Sequence, residues 1–173
     1  LFRYAALADK FDGRVHSTVQ GHVTLAMREP WEVLGIVCPD HAPLAGLVGL
    51  LAPAIALGNR VVAVASQSHA LVAAEFYPLL ETSDVPAGVV NLLTGDRREL
   101  AAALAAHDDV DALWHAGDDE ARAAAETASV GNLKPVWAPP AWAWDVRRAV
   151  PVGEDALAEH AVQVKNIWVP YGE

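Results

Sequence analysis

The chain lacks most of what would build a covalent, nucleic-acid-binding or membrane-spanning protein. It has one cysteine, Cys38, which excludes an internal disulfide and fits a reducing cytoplasm. Basic residues are scarce: 12 Lys and Arg stand against 22 Asp and Glu, for a net charge of −10. Such a surface repels phosphate backbones, so no nucleic-acid partner is expected. Long apolar runs are also missing. The longest candidate, Ala42 to Leu57, falls short of the ~20 residues of a membrane span and carries Pro43 and Pro53, so no membrane partner is expected. There is no signal-peptide pattern, no repeat of fixed period and no G-x-G-x-x-G loop to cradle phosphates. Leu1 stands where an initiator Met would, which predicts a piece of a larger protein.

What is present is enough for one core: 173 residues, 53% hydrophobic. The apolar period alternates between strand-like and helix-like. Val33 to Cys38 reads as a strand buried on both faces. Leu44 to Leu57 reads as a helix, opened by Pro43 and stopped by Gly58-Asn59, with Gly46 and Gly49 as close-packing positions. Strands follow at Val61 to Ala65, Val89 to Leu92, Val110 to His115 and, briefly, Pro135 to Trp137. Between them lie helices at Ala70 to Leu80, from Asp96 to near His107, and at Asp118 to Ser129. Pro78 is expected to end or kink the second of the chain's helices in this repeat. This alternation predicts an α/β fold, a Rossmann-like open parallel sheet with helices on both faces. The two ends differ from the middle. Val15 to Ser17 and His22 to Met27 read as a hairpin around Gln20-Gly21, and Val162 to Val169 as a further strand. A small separate antiparallel sheet accounts for them. Ala138 to Gly153, rich in Pro and Trp, reads as a loop.

Several segments, in order, resemble the aldehyde dehydrogenase family. They are Tyr4 to Lys10 with Gly13-Arg14, Arg28-Glu29-Pro30, Leu51-Ala52-Pro53-Ala54 through Gly58-Asn59, Pro86 to Asn91, Thr94-Gly95-Asp96, and Asn132-Leu133-Lys134. The resemblance narrows to the second, shortened half of the two-domain family 16 enzymes. It does so through Gly131 to Ala138 and the terminal Ile167-Trp168-Val169-Pro170. It implies a cofactor-binding fold over residues 1–173, with an oligomerisation hairpin at 12–30 and strand at 162–170. The expected interface residues are Val15, Val23, Leu25, Val164, Ile167 and Trp168. No room remains between Trp137 and Val162 for the family's catalytic domain with its nucleophilic cysteine.

Tested position by position, the family's chemistry is missing. Pro39-Asp40-His41 replaces Pro-Trp-Asn, so His41 stands at the oxyanion-stabilising Asn. Val64-Ala65-Ser66-Gln67 replaces Lys-Pro-Ser-Glu, and valine offers a ribose no hydrogen bond. Ala116-Gly117 replaces the Gly-Ser that receives the pyrophosphate. Asp118, Asp119 and Glu120 follow, carboxylates that suit a helix N-terminus and oppose a diphosphate. Pro139 stands at the catalytic Glu, and proline cannot act as a base. Cys38 reads as a buried strand-end residue in preference to a dyad with His41 or a metal site with Asp40 and His41. His107-Asp108-Asp109 reads as a solvated helix end, and His16 and His22 as ordinary hairpin positions.

The expectation is a noncatalytic structural domain without catalytic, cofactor or metal residues. By resemblance, its parent is a cytoplasmic NAD-dependent enzyme. An upstream catalytic aldehyde dehydrogenase domain and a second copy, in a homodimer, are its expected partners. The alternative is a nucleotide-sensing domain with weak NAD-type binding through His41, Arg122 and the Trp cluster. Trp137, Trp142 and Trp144 read equally as a cover for the sheet edge or as anchors for a partner domain.

Overall fold

The computed structural model describes residues 1–18, 21–140, 145 and 156–171. The strands β3 (Val33–Val37), β4 (Arg60–Val64), β5 (Val90–Leu93), β6 (Ala112–His115) and β7 (Val136–Trp137) form one sheet of order β5-β4-β3-β6-β7. Every pairing in it is parallel. The near-continuous apolar runs arise because helices cover both faces. Leu34, Ile36, Val61, Ala63, Ala112 and Trp114 pack on one side with α2 (Pro43–Ala56), α3 (Ala70–Glu81) and α6 (Ala156–His160). Val37, Val64 and Leu113 pack on the other with α4 (Arg97–Ala106) and α5 (Asp119–Ala128).

Local chemistry sets the helix ends. Pro43 opens α2, while Asp96 and Asp118 cap α4 and α5 by accepting from the Glu99 and Ala121 amides at 2.9 and 2.7 Å. A Cβ at Gly46 would overlap the Pro39 ring, so the start of α2 can lie this close only with glycine there. Of the two effects expected of Pro78, ending or kinking the helix, the first does not occur: α3 runs on to Glu81, one residue past the expected Leu80. Ala74, whose carbonyl loses its partner to the proline, lies on the exposed side, where water can replace it.

At the ends of the chain, β1 (Arg14–Ser17), β2 (His22–Pro30) and β8 (Val162–Pro170) form the separate antiparallel sheet, in the order β1-β2-β8. Helix α1 (Phe2–Leu7) precedes it. Among the described residues no helix is long and apolar enough to cross a membrane. Most of the expected loop from Ala138 to Gly153, with Trp142 and Trp144, lies outside the described residues.

Asn59 couples the two sheets. It is 1% exposed. Its side-chain amide donates to the Ala54 and Ala161 carbonyls at 3.0 and 2.8 Å, and its Oδ1 accepts from the Trp31 amide at 2.9 Å. The end of α2, the end of α6 and the entry to β3 thus meet on one side chain. Trp31 Nε1 also donates to the His160 carbonyl at 3.0 Å, and Arg28 pairs with Glu159 at 2.9 Å.

Candidate functional site

The strand order reverses between β3 and β6. In open parallel sheets, ligands enter at such a reversal, outside the carboxyl ends of the strands. The flanking loops are residues 38–42 after β3 and 116–118 after β6.

Here the reversal is spanned by the protein itself. Arg97, the first residue of α4, donates from Nη1 to Asp40 Oδ2 at 3.2 Å and from Nη2 to the Ala116 carbonyl at 3.1 Å. Its Nε is buried without a hydrogen-bond partner. The other oxygen of Asp40 accepts from Ser66 Oγ at 2.8 Å and from the Ser68 amide at 3.3 Å. Burial pushes the Asp40 carboxyl up. The hydrogen bonds from Ser66 and Ser68 and the Arg97 charge outweigh that and hold it below its usual range.

His115, at the end of β6, is 1% exposed. Its Nδ1 accepts from the Gly117 amide at 3.2 Å, which leaves the proton of the neutral ring on Nε2. Burial and then the Arg97 charge push its pKa down, so it stays neutral. The hollow left among Asp40, Gln67, Arg97, Arg98, His115 and Asp118 measures about 200 Å³. That is below the ~300–1,000 Å³ of ordinary small-molecule sites. A larger hollow of about 630 Å³ lies between α1, the last turn of α2 and Val85, Pro86 and Val89, away from this edge.

The sequence-derived positions now have places. His41 is exposed on the loop beside Asp40. Val64 is wholly buried in the core against α4. Gln67 Oε1 accepts from the Arg97 amide at 3.1 Å and so helps cap α4. The Ala116 carbonyl is taken by Arg97. A Cβ at Gly117 would overlap the His115 ring, leaving no room for a larger residue. Pro139 is buried. Asp118 is a cap, Asp119 pairs with Arg122 at 3.1 Å, and Glu120 pairs with Arg98 at 2.9 Å. Arg122 also meets Glu126 at 3.4 Å.

Cys38 is wholly buried, its thiol pushed up to about 12 chiefly by burial. No thiolate forms there at neutral pH. Among the described residues no group of three or more His, Cys, Asp and Glu gathers as a metal site would. His107 Nδ1 accepts from the Asp109 amide at 3.1 Å, a local turn bond after α4. Lys134 is also structural: its Nζ donates to the Leu104 and His107 carbonyls at the end of α4, and burial pushes its pKa down. Trp137 stacks on His160 at 3.9 Å between ring centres and meets Trp114 edge-on at 5.3 Å.

In the small sheet, paired residues share a face. Val15 faces Leu25, Leu25 faces Ile167, and Val23 faces Val169. Val15, Val23, Leu25 and Ile167 therefore lie on one face, and Val164 and Trp168 on the other, where Trp168 meets His22 edge-on at 6.3 Å. Among the described residues, β1 and β8 are its open edges.

Arg97, Asp40 and Ser66 were not legible as a network. The one available signal was a cation at the first turn of a helix, where the dipole favours anions.

Such a sheet, with its reversal point, defines a doubly wound dinucleotide-type fold. Residues 1–139 match the family model for the aldehyde dehydrogenase family. The chain is 33% identical over 135 residues to the NADP/NAD-dependent aldehyde dehydrogenase PuuC of Escherichia coli, covering 78% of this chain and 27% of that protein. It is 35% identical over 137 residues to mouse retinaldehyde dehydrogenase 3, with 78% and 27% covered. Among solved structures, a putative aldehyde dehydrogenase from Burkholderia cenocepacia superposes with a TM-score of 0.75 at 29% identity, covering 79% of this chain and 29% of that one. The P. syringae AldA indole-3-acetaldehyde dehydrogenase C302A mutant, in complex with NAD+ and IAA, gives 0.71 at 30% identity, covering 79% and 29%. The chain belongs to the aldehyde dehydrogenase family and spans about a quarter of the length of these relatives.

Proposed function

We propose that this chain is a noncatalytic structural domain of a cytoplasmic, NAD-dependent aldehyde dehydrogenase of the two-domain, family 16 kind. Oxidation of aldehyde to carboxylic acid belongs to an upstream catalytic domain. This domain supplies fold and edges, the segments 12–30 and 162–170 pairing with that domain or with a second copy in a homodimer.

The observation that carries the reading is the state of the switch point. Asp40, Ser66, Gln67, Arg97 and Ala116 are engaged with one another there. The residues present do not fit NAD. Val64 is sealed in the core, Gly117 has no space beside it, and the carboxylates of Asp118, Asp119 and Glu120 crowd the helix end a diphosphate would use. Calorimetric titration of the chain with NAD tests the reading. No binding tighter than about millimolar is expected (about −4 kcal/mol). Micromolar affinity would overturn it and favour the nucleotide-sensing alternative, which needs Arg122 free of Asp119 and Glu126.

A further inference from the structure

We propose that Arg97 is the resident cation of a switch-point crevice whose polarity has been inverted. The chain closes with its own guanidinium the place where this class of sheet receives an anionic ligand. Three loops converge on that group. The β3–α2 loop gives Asp40 and the β6–α5 loop gives the Ala116 carbonyl. The β4–α3 loop is joined through Ser66, whose Oγ donates to Asp40 and accepts from the His69 amide at 3.2 Å.

The helix dipole opposes a positive charge at this position, the first residue of α4. What compensates is the carboxylate at 3.2 Å and the Ala116 carbonyl at 3.1 Å from Nη2. Gly117 is part of the same device, because a Cβ there would stand 3.1 Å from Arg97 Nη2. Asp40 and Asp118, which repel a phosphate, are suited to receive a guanidinium. The Arg97 side chain is only 16% exposed, so solvent screens the pair weakly on that side.

The proposal rests on the reading that no dinucleotide enters the crevice. NAD titration tests that reading and thermal melting tests the plug, so the two fail separately. R97A in the full chain should lower the Tm by about 5 °C. Millimolar methylguanidinium should restore much of that loss in R97A. It should do nothing for the unmodified protein and nothing for R97A combined with D40N. Melting of R97A with the unmodified protein would overturn the proposal. So would equal methylguanidinium shifts in all three proteins. If R97A does not fold, Arg97→Lys keeps the charge but loses the fork, and a smaller drop is expected. An R97K melt identical to that of the unmodified protein would then overturn the proposal.

Discussion

The carboxyl edge of the large sheet and the small three-stranded sheet handle their free groups in opposite ways. At the first, Arg97, Asp40, Ser66 and Gln67 bond to one another, and the space left is small. At the second, Val15 is 71% exposed, Val169 is 42% exposed, and among the described residues both outer strands have unpaired edges. Polar groups turned inward leave little to bind a ligand. Apolar side chains turned outward beside open edges favour burial against another protein surface. The difference directs attention away from the place where the fold family usually does chemistry and toward the sheet at its flank.

Four changes would break or sharpen that contrast. The largest effect is expected from Asn59→Ala, at the joint of the two regions. It removes the partners of the Trp31 amide and the Ala161 carbonyl and should cost about 3 kcal/mol in urea denaturation. A cost under about 1 kcal/mol would mean the sheets are held together by other contacts.

Next is Ile167→Asp, which places a charge in the row Val15–Leu25–Ile167. Sedimentation equilibrium should show self-association weakened at least about tenfold, or about 1.4 kcal/mol. An unchanged profile would remove that face from the proposed interface.

The third concerns pH. Burial depresses His115 and His160 below their ordinary 6.5. As pH falls through 6.5, the unfolded chain takes up protons that the folded one refuses, so stability is lost in that step. Asp40 is held below 3.8, so its contribution persists above that value and disappears as pH falls through the folded value. The urea midpoint should therefore drop in two steps on acidification. His115→Gln should shrink the upper step to the part due to His160. An unaltered upper step would assign it elsewhere.

The smallest effect is expected at Arg122→Ala. Its pairs with Asp119 and Glu126 lie on the exposed side of α5, so stability should move by no more than about 0.5 kcal/mol. NAD affinity should not change at all. A loss of ligand binding in this variant would support the nucleotide-sensing reading.

Much of the fold was legible because strand and helix write different periods into a sequence. The runs at Val33 to Val37 and Val61 to Val64 are apolar on both faces, and only a sheet covered on both sides buries them. Helix α6 was not read, since five residues are too few to show a period. Helix α3 was read past Pro78 to Leu80, but the exposed position of Ala74, where water can take the carbonyl the proline leaves free, is reported by no local pattern. At the site, His41, Val64 and Pro139 stood out in the sequence because each stands where the resembled motif has another residue. The Arg97 network was not readable, because its members are spread from Asp40 to Ala116.

By itself the sequence determined the family and the layered α/β architecture, both of which follow from residue type and order. Tertiary structure alone decided that Arg97 would meet Asp40 across 57 positions, that Gly117 would be hemmed in by His115, and that Val164 and Trp168 would face away from Ile167. Such facts depend on loop convergence and strand register. Both are fixed by packing the whole core and not by any local stretch of the chain.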